Sequence, residues 1–191
     1  MAKLGGAMNQ RLCPVWMGYL LLNPIRRLIE NPKKLFGRFV REGMLVLEPG
    51  CGMGYFTLTL AQMVGATGRV VAVDIQERML SVLRKRAVKR GLSNRIETRL
   101  ATDDGLPVQD LHGQVDLVAA VHVVHEVTHQ ERFLADLVRS LRSGGILLLA
   151  EPRGHVEAKE FDKSVCTVLC FGLREEERYK SLTSRISILK R

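Results

Sequence analysis

Aromatic side chains are scarce: one Trp, three Tyr and six Phe make up 5% of the chain. No cluster of them accompanies the basic residues, which disfavours an RNA-binding module that works by base stacking. Cysteine is sparse too. Cys13, Cys51, Cys166 and Cys170 form no CxxC pair, so a disulfide framework is not expected in a chain of this length and free thiols are the default. Cys166 and Cys170 fall four apart on an expected helix among Val165, Leu169 and Phe171, and small apolar thiols in such company are expected in the core. No apolar run approaches the length of a membrane span. The first residues lack the order of charge, apolar stretch and cleavage site that marks a signal peptide, so the expected compartment is the cytoplasm. No repeat or low-complexity segment interrupts the chain. His122-Val123-Val124-His125-Glu126 is neither HExxH nor HxxEH and no third ligand is evident, so no metal is expected.

What is present fits one compact unit: 191 residues, 46% hydrophobic and 26% charged, enough for a substantial core. The net charge is +9, and the segment through Glu42 contributes eight Lys or Arg against two Glu. That segment is read as an N-terminal arm, residues 1–42, before a domain at 43–191. Asn23-Pro24 and Asn31-Pro32 each place a capping residue before a proline suited to helix position one, predicting two short helices. The basic arm suits RNA, anionic lipid or an acidic small molecule as partner, or simply a solvated face. Trp16 and Tyr19 sit three apart and would share a helical side.

The most informative stretch is Leu45-Val46-Leu47-Glu48-Pro49-Gly50-Cys51-Gly52-Met53-Gly54. An apolar strand runs into an acidic residue and a triple-glycine turn, and a helix is expected over 53–64. Glycines remove side chains where a ligand approaches the backbone, and the helix start would offer unpaired N–H groups. A dinucleotide fingerprint places its third glycine three residues after the second, at the position of Tyr55, whereas here it stands at 54. Glu48 adds a negative charge that suits a cation better than a pyrophosphate. A second apolar run, Arg69 to Asp74, ends in a carboxylate 24 residues beyond Gly50. Such a residue accepts hydrogen bonds from ribose hydroxyls, or else caps the helix starting near Gln76.

Strands expected near 43–48, 69–74, 95–101, 115–121 and 145–150 alternate with helices near 53–64, 76–90, 129–142 and 157–171. This predicts an α/β fold with a parallel sheet and right-handed crossovers. Met79, Val82, Leu83 and Ala87 form one apolar helix face, and Ile96 and Leu100 are expected to fill the sheet. Residues 176–182 and 185–189 alternate like an antiparallel pair turning at Thr183-Ser184.

Glu48-Pro49-Gly50-Cys51-Gly52-Met53-Gly54 with Asp74 resembles the class I S-adenosylmethionine-dependent methyltransferases, most of all the ubiquinone/menaquinone-type and arsenite-methyltransferase-like group. Asp103-Asp104-Gly105-Leu106-Pro107 is similar to the loop after the third strand, residues 115–121 to the fourth strand, and residues 141–149 to the Gly-Gly turn into the fifth. Pro49 departs from many members but precedes the glycines. The resemblance implies a Rossmann-like sheet of order 3-2-1-4-5-7-6 with strand 7 antiparallel, and S-adenosylmethionine as cofactor. It implies that Glu48 faces the methionine ammonium, that Gly50, Cys51, Gly52 and Gly54 face the methionine, that Asp74 and Ile75 face the ribose side, and that Asp103, Asp104 and Val121 face the adenine side. Trp16 and Tyr19 either anchor the arm or, as small members of the family imply, form with His122 the lid and part of the substrate pocket.

Methyl transfer mainly needs alignment and exclusion of water. An acceptor that must lose a proton adds the need for a base. Candidates after the fourth and fifth strands, where ligands bind in open α/β sheets, are His125 and His155, with His122 and Glu126 nearby. Asp116, at a strand start, is expected to be structural. The reading is an S-adenosylmethionine-dependent methyltransferase of a small, organic acceptor. An NAD-binding oxidoreductase, a non-catalytic cofactor-binding partner and an RNA methyltransferase are the alternatives. The oligomeric state is left open.

Overall fold

The computed structural model describes residues 16, 29–102 and 105–191. Seven strands form one sheet: β1 Leu45–Pro49, β2 Arg69–Asp74, β3 Ile96–Leu100, β4 Val115–Val121, β5 Leu141–Pro152, β6 Arg174–Lys180 and β7 Ser184–Lys190. Their order is β3-β2-β1-β4-β5-β7-β6. β1 to β5 run parallel, and β7 is antiparallel to both its neighbours. This is the strand order and direction that the sequence resemblance implied.

Sheet burial on both faces explains why the central strands are continuous apolar runs. Alternate side chains feed two cores. Leu47, Val71, Val73, Val118, Ala120, Leu147 and Leu149 meet helices α4 (Gln130–Ser140) and α5 (Ala158–Cys170) through Phe133, Leu137, Phe161 and Val165. On the other face Val46, Val70, Ala72, Leu117, Ala119 and Leu148 meet α1 (Pro32–Phe36), α2 (Thr57–Met63) and α3 (Glu77–Lys89) through Phe36, Leu60, Leu80 and Leu83. β6, a charged strand with alternating exposure, forms one edge. Its Arg178 pairs with Glu175 and Asp162, a pattern that discourages pairing with another chain.

Several local expectations are corrected. The helix after the glycine turn starts at Thr57, not near Met53, because Gly52 and Gly54 adopt left-handed φ values of +53° and +81° that end any right-handed helix there. On α3, Leu80 replaces Val82 on the buried face. Leu100 is 47% exposed at the tip of β3, an edge strand, instead of filling the sheet. β5 begins already at Leu141, directly after α4. The pairing jumps from Val115↔Leu141 to Leu117↔Ile146, so residues 142–145 bulge out with Gly144 at φ +72°. The last turn falls before Ser184, which opens β7. Cys166 and Cys170 are exposed, not packed, because Phe161, Ser164, Val165 and Val168 turn the opposite side of α5 inward.

Asn31 caps α1 as its sequence predicts, its side-chain oxygen accepting from Lys33 N at 3.0 Å with Pro32 in the first turn. Phe36 and Val40, within the segment read as an arm, are buried in the core, and Phe36 meets Phe56 edge-on at 5.7 Å. Trp16 is helical and largely exposed. Asn23-Pro24, Tyr19, Cys13, Asp103 and Asp104 lie outside the described residues. Among the described residues no helix is long and apolar enough to cross a membrane, and no group of His, Cys, Asp and Glu is arranged to hold a metal.

Candidate active site at the carboxyl edge of the sheet

The described cofactor-site candidates lie at the carboxyl ends of β1, β2 and β4 and on the loops that leave them, as do His122 and His125, while His155 follows β5 and Trp16 lies in the N-terminal segment. Gly50, Gly52 and Gly54 all have positive φ, but they serve different ends. A Cβ on Gly50 would lie 2.5 Å from Val123 Cγ2, and one on Gly54 would lie 2.3 Å from Leu83 Cδ1. These two let the turn pack against β4's loop and α3. A Cβ on Gly52 would meet nothing within 4 Å among the described residues, so no described side chain blocks the approach of a ligand to this backbone. α2 has only seven residues and starts at Thr57, so the glycines precede the helix instead of opening it as the sequence suggested.

Asp74 ties the turn to β2. Its Oδ2 accepts from Gly52 N at 2.8 Å and its Oδ1 from Gln76 N at 2.8 Å. The helix-capping alternative is thereby corrected: Gln76 holds the N-cap position of α3, while Asp74 makes a local turn and braces the glycine loop. Burial raises its pKa, opposed by the amides of Gln76, Gly52 and Ile75. Each oxygen spends one lone pair on the protein and keeps another. Ile75 is 37% exposed beside it. Together with Leu100 it leaves apolar surface at the tips of β2 and β3, which the sequence reading assigned to the sheet interior in the case of Leu100.

Glu48 is buried beside Thr57, and among the described residues neither its Oε2 nor the Thr57 hydroxyl has a partner at full hydrogen-bond geometry. Burial pushes its pKa up to about 8, with Thr57 lowering it and the Asp74 charge raising it. Cys51, buried in the turn, has its thiol pushed well above the ordinary range by burial and by the charges of Glu48 and Asp74. It is therefore a packing thiol rather than a nucleophile.

Beyond β4 the chain turns sharply. His122 takes φ +57°, unusual for a residue with a Cβ. Its Nε2 lies 2.7 Å from Ser184 Oγ and 3.4 Å from Glu30 Oε1. Glu30 also accepts through its carbonyl from the Tyr55 hydroxyl at 2.6 Å, so the residues that precede α1 reach this edge of the sheet. Val121 is buried one residue earlier.

His125 occupies a helical turn at Val124–Glu126, and its Nδ1 hydrogen-bonds Glu151 Oε2. The sequence reading named His125 but missed Glu151, which sits near the end of an apolar strand and carries no motif. Glu151 is buried, and its Oε1 accepts from Val123 N at 3.2 Å and Val124 N at 3.0 Å. One carboxylate thus holds both the turn and the imidazole. Burial alone would lower the His125 pKa; the hydrogen bond to Glu151 and the charges of Glu151, Glu126 and Glu160 outweigh it and hold the pKa above its ordinary value. Glu126 Oε1 is 4.0 Å from His125 Nε2. His155 is exposed, in a cleft with Arg153 and Arg185. Asp116 is structural as expected, accepting from Leu45 N at 2.8 Å and from Arg142 Nε at 2.6 Å.

The family described as "Methyltransferase domain" matches residues 47–149, from inside β1 through β5. The chain belongs to this methyltransferase family. Among curated relatives, the ubiquinone/menaquinone biosynthesis C-methyltransferase UbiE of Pseudomonas entomophila is 36% identical over 126 residues, covering 64% of this chain and 48% of that protein. The chain spans about half the length of the curated relatives it matches. Among solved structures, a SAM-dependent methyltransferase from Aquifex aeolicus superposes with a TM-score of 0.83 at 22% identity, covering 94% of this chain and 99% of that one. The [4+2]-cyclase SpnF superposes with a TM-score of 0.71 at 14% identity over 84% of this chain and 79% of that one. These likenesses show the fold alone, which also hosts a reaction other than methylation.

The cofactor that goes with this membership is S-adenosylmethionine, and the methyltransferase residues fit it. The buried Glu48 Oε2, without a partner at full hydrogen-bond geometry among the described residues, suits an ammonium, the backbone at Gly52, uncrowded by them, admits close approach, and Asp74 retains acceptor capacity for ribose hydroxyls. Because Asp74 also holds Gly52 N, Asp74→Ala should weaken S-adenosylhomocysteine binding by about 2 to 4 kcal/mol, roughly 30- to 800-fold. Isothermal calorimetry checks this. Unchanged affinity would place the ribose elsewhere.

Proposed function

We propose that the chain transfers a methyl group from S-adenosylmethionine to a small organic acceptor that must lose a proton, with His125 as the base and Glu151 as the residue that positions it. The bound donor supplies an electrophilic methyl group on a sulfonium. Glu48, the Gly50–Gly54 turn and Asp74 bind and orient the donor. Glu151 accepts the Nδ1 proton of His125, leaving the Nε2 lone pair to take the acceptor's proton as its carbon or oxygen bonds to the methyl carbon and the carbon–sulfur bond breaks. The Glu151–His125 pair is the observation that carries this reading: a buried carboxylate anchored by two backbone amides has little reason to grip a half-buried imidazole unless orientation matters.

The relatives' names favour a quinol-like aromatic ring methylated at carbon, and an ionised ring hydroxyl would activate the adjacent carbon. Residues 1–42 are proposed as the cover of the site. Glu30 beside His122 and Tyr55 supports this, and Trp16, Tyr19 and His122 are the side chains assigned to the lid and substrate. Asp103 and Asp104 are assigned to adenine and His155 to the acceptor side. The test is a panel of quinol, phenol, amine, thiol, arsenite and RNA acceptors with radiolabelled donor. Label is expected in a quinol or phenol product. Tight S-adenosylhomocysteine binding with no labelled product from any acceptor would favour the non-catalytic alternative, and tight NAD binding with none of S-adenosylhomocysteine would overturn the family's cofactor for this chain.

A further inference from the structure

A second set of groups at the same edge of the sheet has no role in cofactor binding or proton removal. Arg153, Gly154, His155, Val156, Glu157 and Arg185 line a cleft of about 510 Å³ between the end of β5, the start of β7 and α5. Arg185 is aligned with Glu151 across the antiparallel pair, and such partners point to one face of a sheet. Arg185 therefore emerges on the face where Glu151 holds His125. The cleft adjoins that pair by a second route: Glu160, whose charge acts on His125, also accepts from the backbone N of Glu157 at 3.2 Å.

The cleft has a surplus of positive charge and unmet donors. Elsewhere Arg99, Arg142 and Arg178 are matched to carboxylates. Neither Arg153 nor Arg185 has a carboxylate within 4 Å among the described residues, and both lean on carbonyls: Arg153 on Ser181 O at 3.2 Å, Arg185 on Val156 O at 2.7 Å. Arg185 Nε is buried with no hydrogen-bond partner among the described residues. A guanidinium that lines a cleft without a carboxylate partner pairs best with a planar or tetrahedral oxyanion. The acidic lining residue, Glu157, uses its side chain to cap α5. Gly154 opens the floor, since a Cβ there would touch nothing within 4 Å.

We propose that this cleft holds an oxyanion, a carboxylate or phosphate, carried by the methyl acceptor, with Arg185 and Arg153 as its binding residues and His155 as a further donor. This deepens the proposed function by naming a substrate class, and it rests on that reading for the identity of the bound molecule. The acceptor would be an acidic ring or acid whose proton-bearing group reaches His125 while its anionic group sits at Arg185.

The test separates the two readings. Inorganic phosphate and benzoate, titrated against the full chain at constant ionic strength set with potassium chloride, should bind with saturation followed by NMR shifts of the 153–158 backbone amides. Either Arg153→Gln or Arg185→Gln should weaken that binding about tenfold or more, with S-adenosylhomocysteine affinity unchanged. Arg153→Gln guards against the chance that Arg185→Gln fails to fold. In turnover, acceptors bearing a carboxylate or phosphate should show KM raised about tenfold or more in Arg153→Gln with kcat retained, while neutral analogues, poor substrates of the unaltered chain, should not respond. Shifts no larger than chloride gives, binding indifferent to both substitutions, or neutral acceptors used as well as anionic ones would each overturn the proposal. Loss of the family's cofactor binding would appear in the S-adenosylhomocysteine titration and leave the phosphate result readable.

Discussion

Glu48→Gln should raise the melting temperature of the cofactor-free protein by roughly 10 °C at pH 8.5 and remove most of the pH dependence of cofactor binding. Burial lifts the Glu48 carboxyl from an ordinary value of 4.5 to about 8. The folded state therefore holds this proton more tightly than the unfolded chain does. The group's contribution is fully present below pH 4.5 and is lost as pH rises through 8, where a buried carboxylate remains without its proton. Over that window the loss amounts to about 3 to 5 kcal/mol. Gln keeps the shape and a neutral acceptor and does not titrate. Binding an ammonium reverses the preference, because the ionised carboxylate now has a partner. Affinity for S-adenosylhomocysteine should thus rise about 10- to 30-fold from pH 6 to 7.5 as the carboxyl becomes easier to ionise, with proton release visible in the buffer dependence of the binding heat. In Glu48→Gln the slope should flatten and affinity at pH 7.5 should fall roughly 10- to 100-fold. A parallel pH profile in the variant would mean that Glu48 does not meet the ammonium.

His125→Ala should lower kcat about 100-fold or more with S-adenosylhomocysteine affinity retained, and Glu151→Gln should nearly match it while leaving the imidazole in place. The second result follows from the tautomer. A carboxylate accepts the Nδ1 proton and leaves Nε2 basic; an amide N–H at the same position donates to Nδ1 and forces the proton onto Nε2, where it blocks the base. A purely structural Glu151 would not behave so, since Gln can still accept from Val123 and Val124. The pH profile gives an independent reading. The His125 pKa is raised, so the unaltered chain should lose activity as pH falls through a value above the ordinary 6.5. With the negative charge gone, any residual activity in Glu151→Gln should persist to lower pH. Near-normal kcat in both variants would leave alignment alone as the source of rate.

Much of this molecule was legible without coordinates, because parallel strands buried on both faces must be continuous apolar runs and the turns after them need glycine. Leu45–Glu48 and Arg69–Asp74 announced two adjacent strands by that pattern. Gly50, Gly52 and Gly54 announced a turn with room for a ligand beside its backbone, though not its left-handed φ values, and Asn31-Pro32 announced α1. What the pattern could not separate was the work of each glycine: Gly50 and Gly54 make room for Val123 and Leu83, residues distant in sequence, whereas Gly52 is left uncrowded by the described residues. Burial on helices was misjudged where several apolar residues competed. Cys166 and Cys170 share a face, but Phe161 and Val165 claim the inward side of α5, so the thiols face out.

The catalytic proposal and the anion cleft depend on contacts that no local signal carries. In the sequence Glu151 stands just past an apolar strand expected at 145–150, and Arg185 is only the first residue of a strand expected at 185–189. Only the pairing of antiparallel β7 with β5 aligns them, and only the left-handed turn at His122 swings His125 back onto Glu151. Sequence alone determined the layered α/β fold and placed a glycine turn and an acidic strand tip at one edge of the sheet, since both follow from periodicity and backbone chemistry within short segments. Tertiary structure decided which carboxylate holds the imidazole, which arginine donor lacks a partner among the described residues and which glycine is left uncrowded by them, because burial and pairing between distant segments set the surroundings of each group.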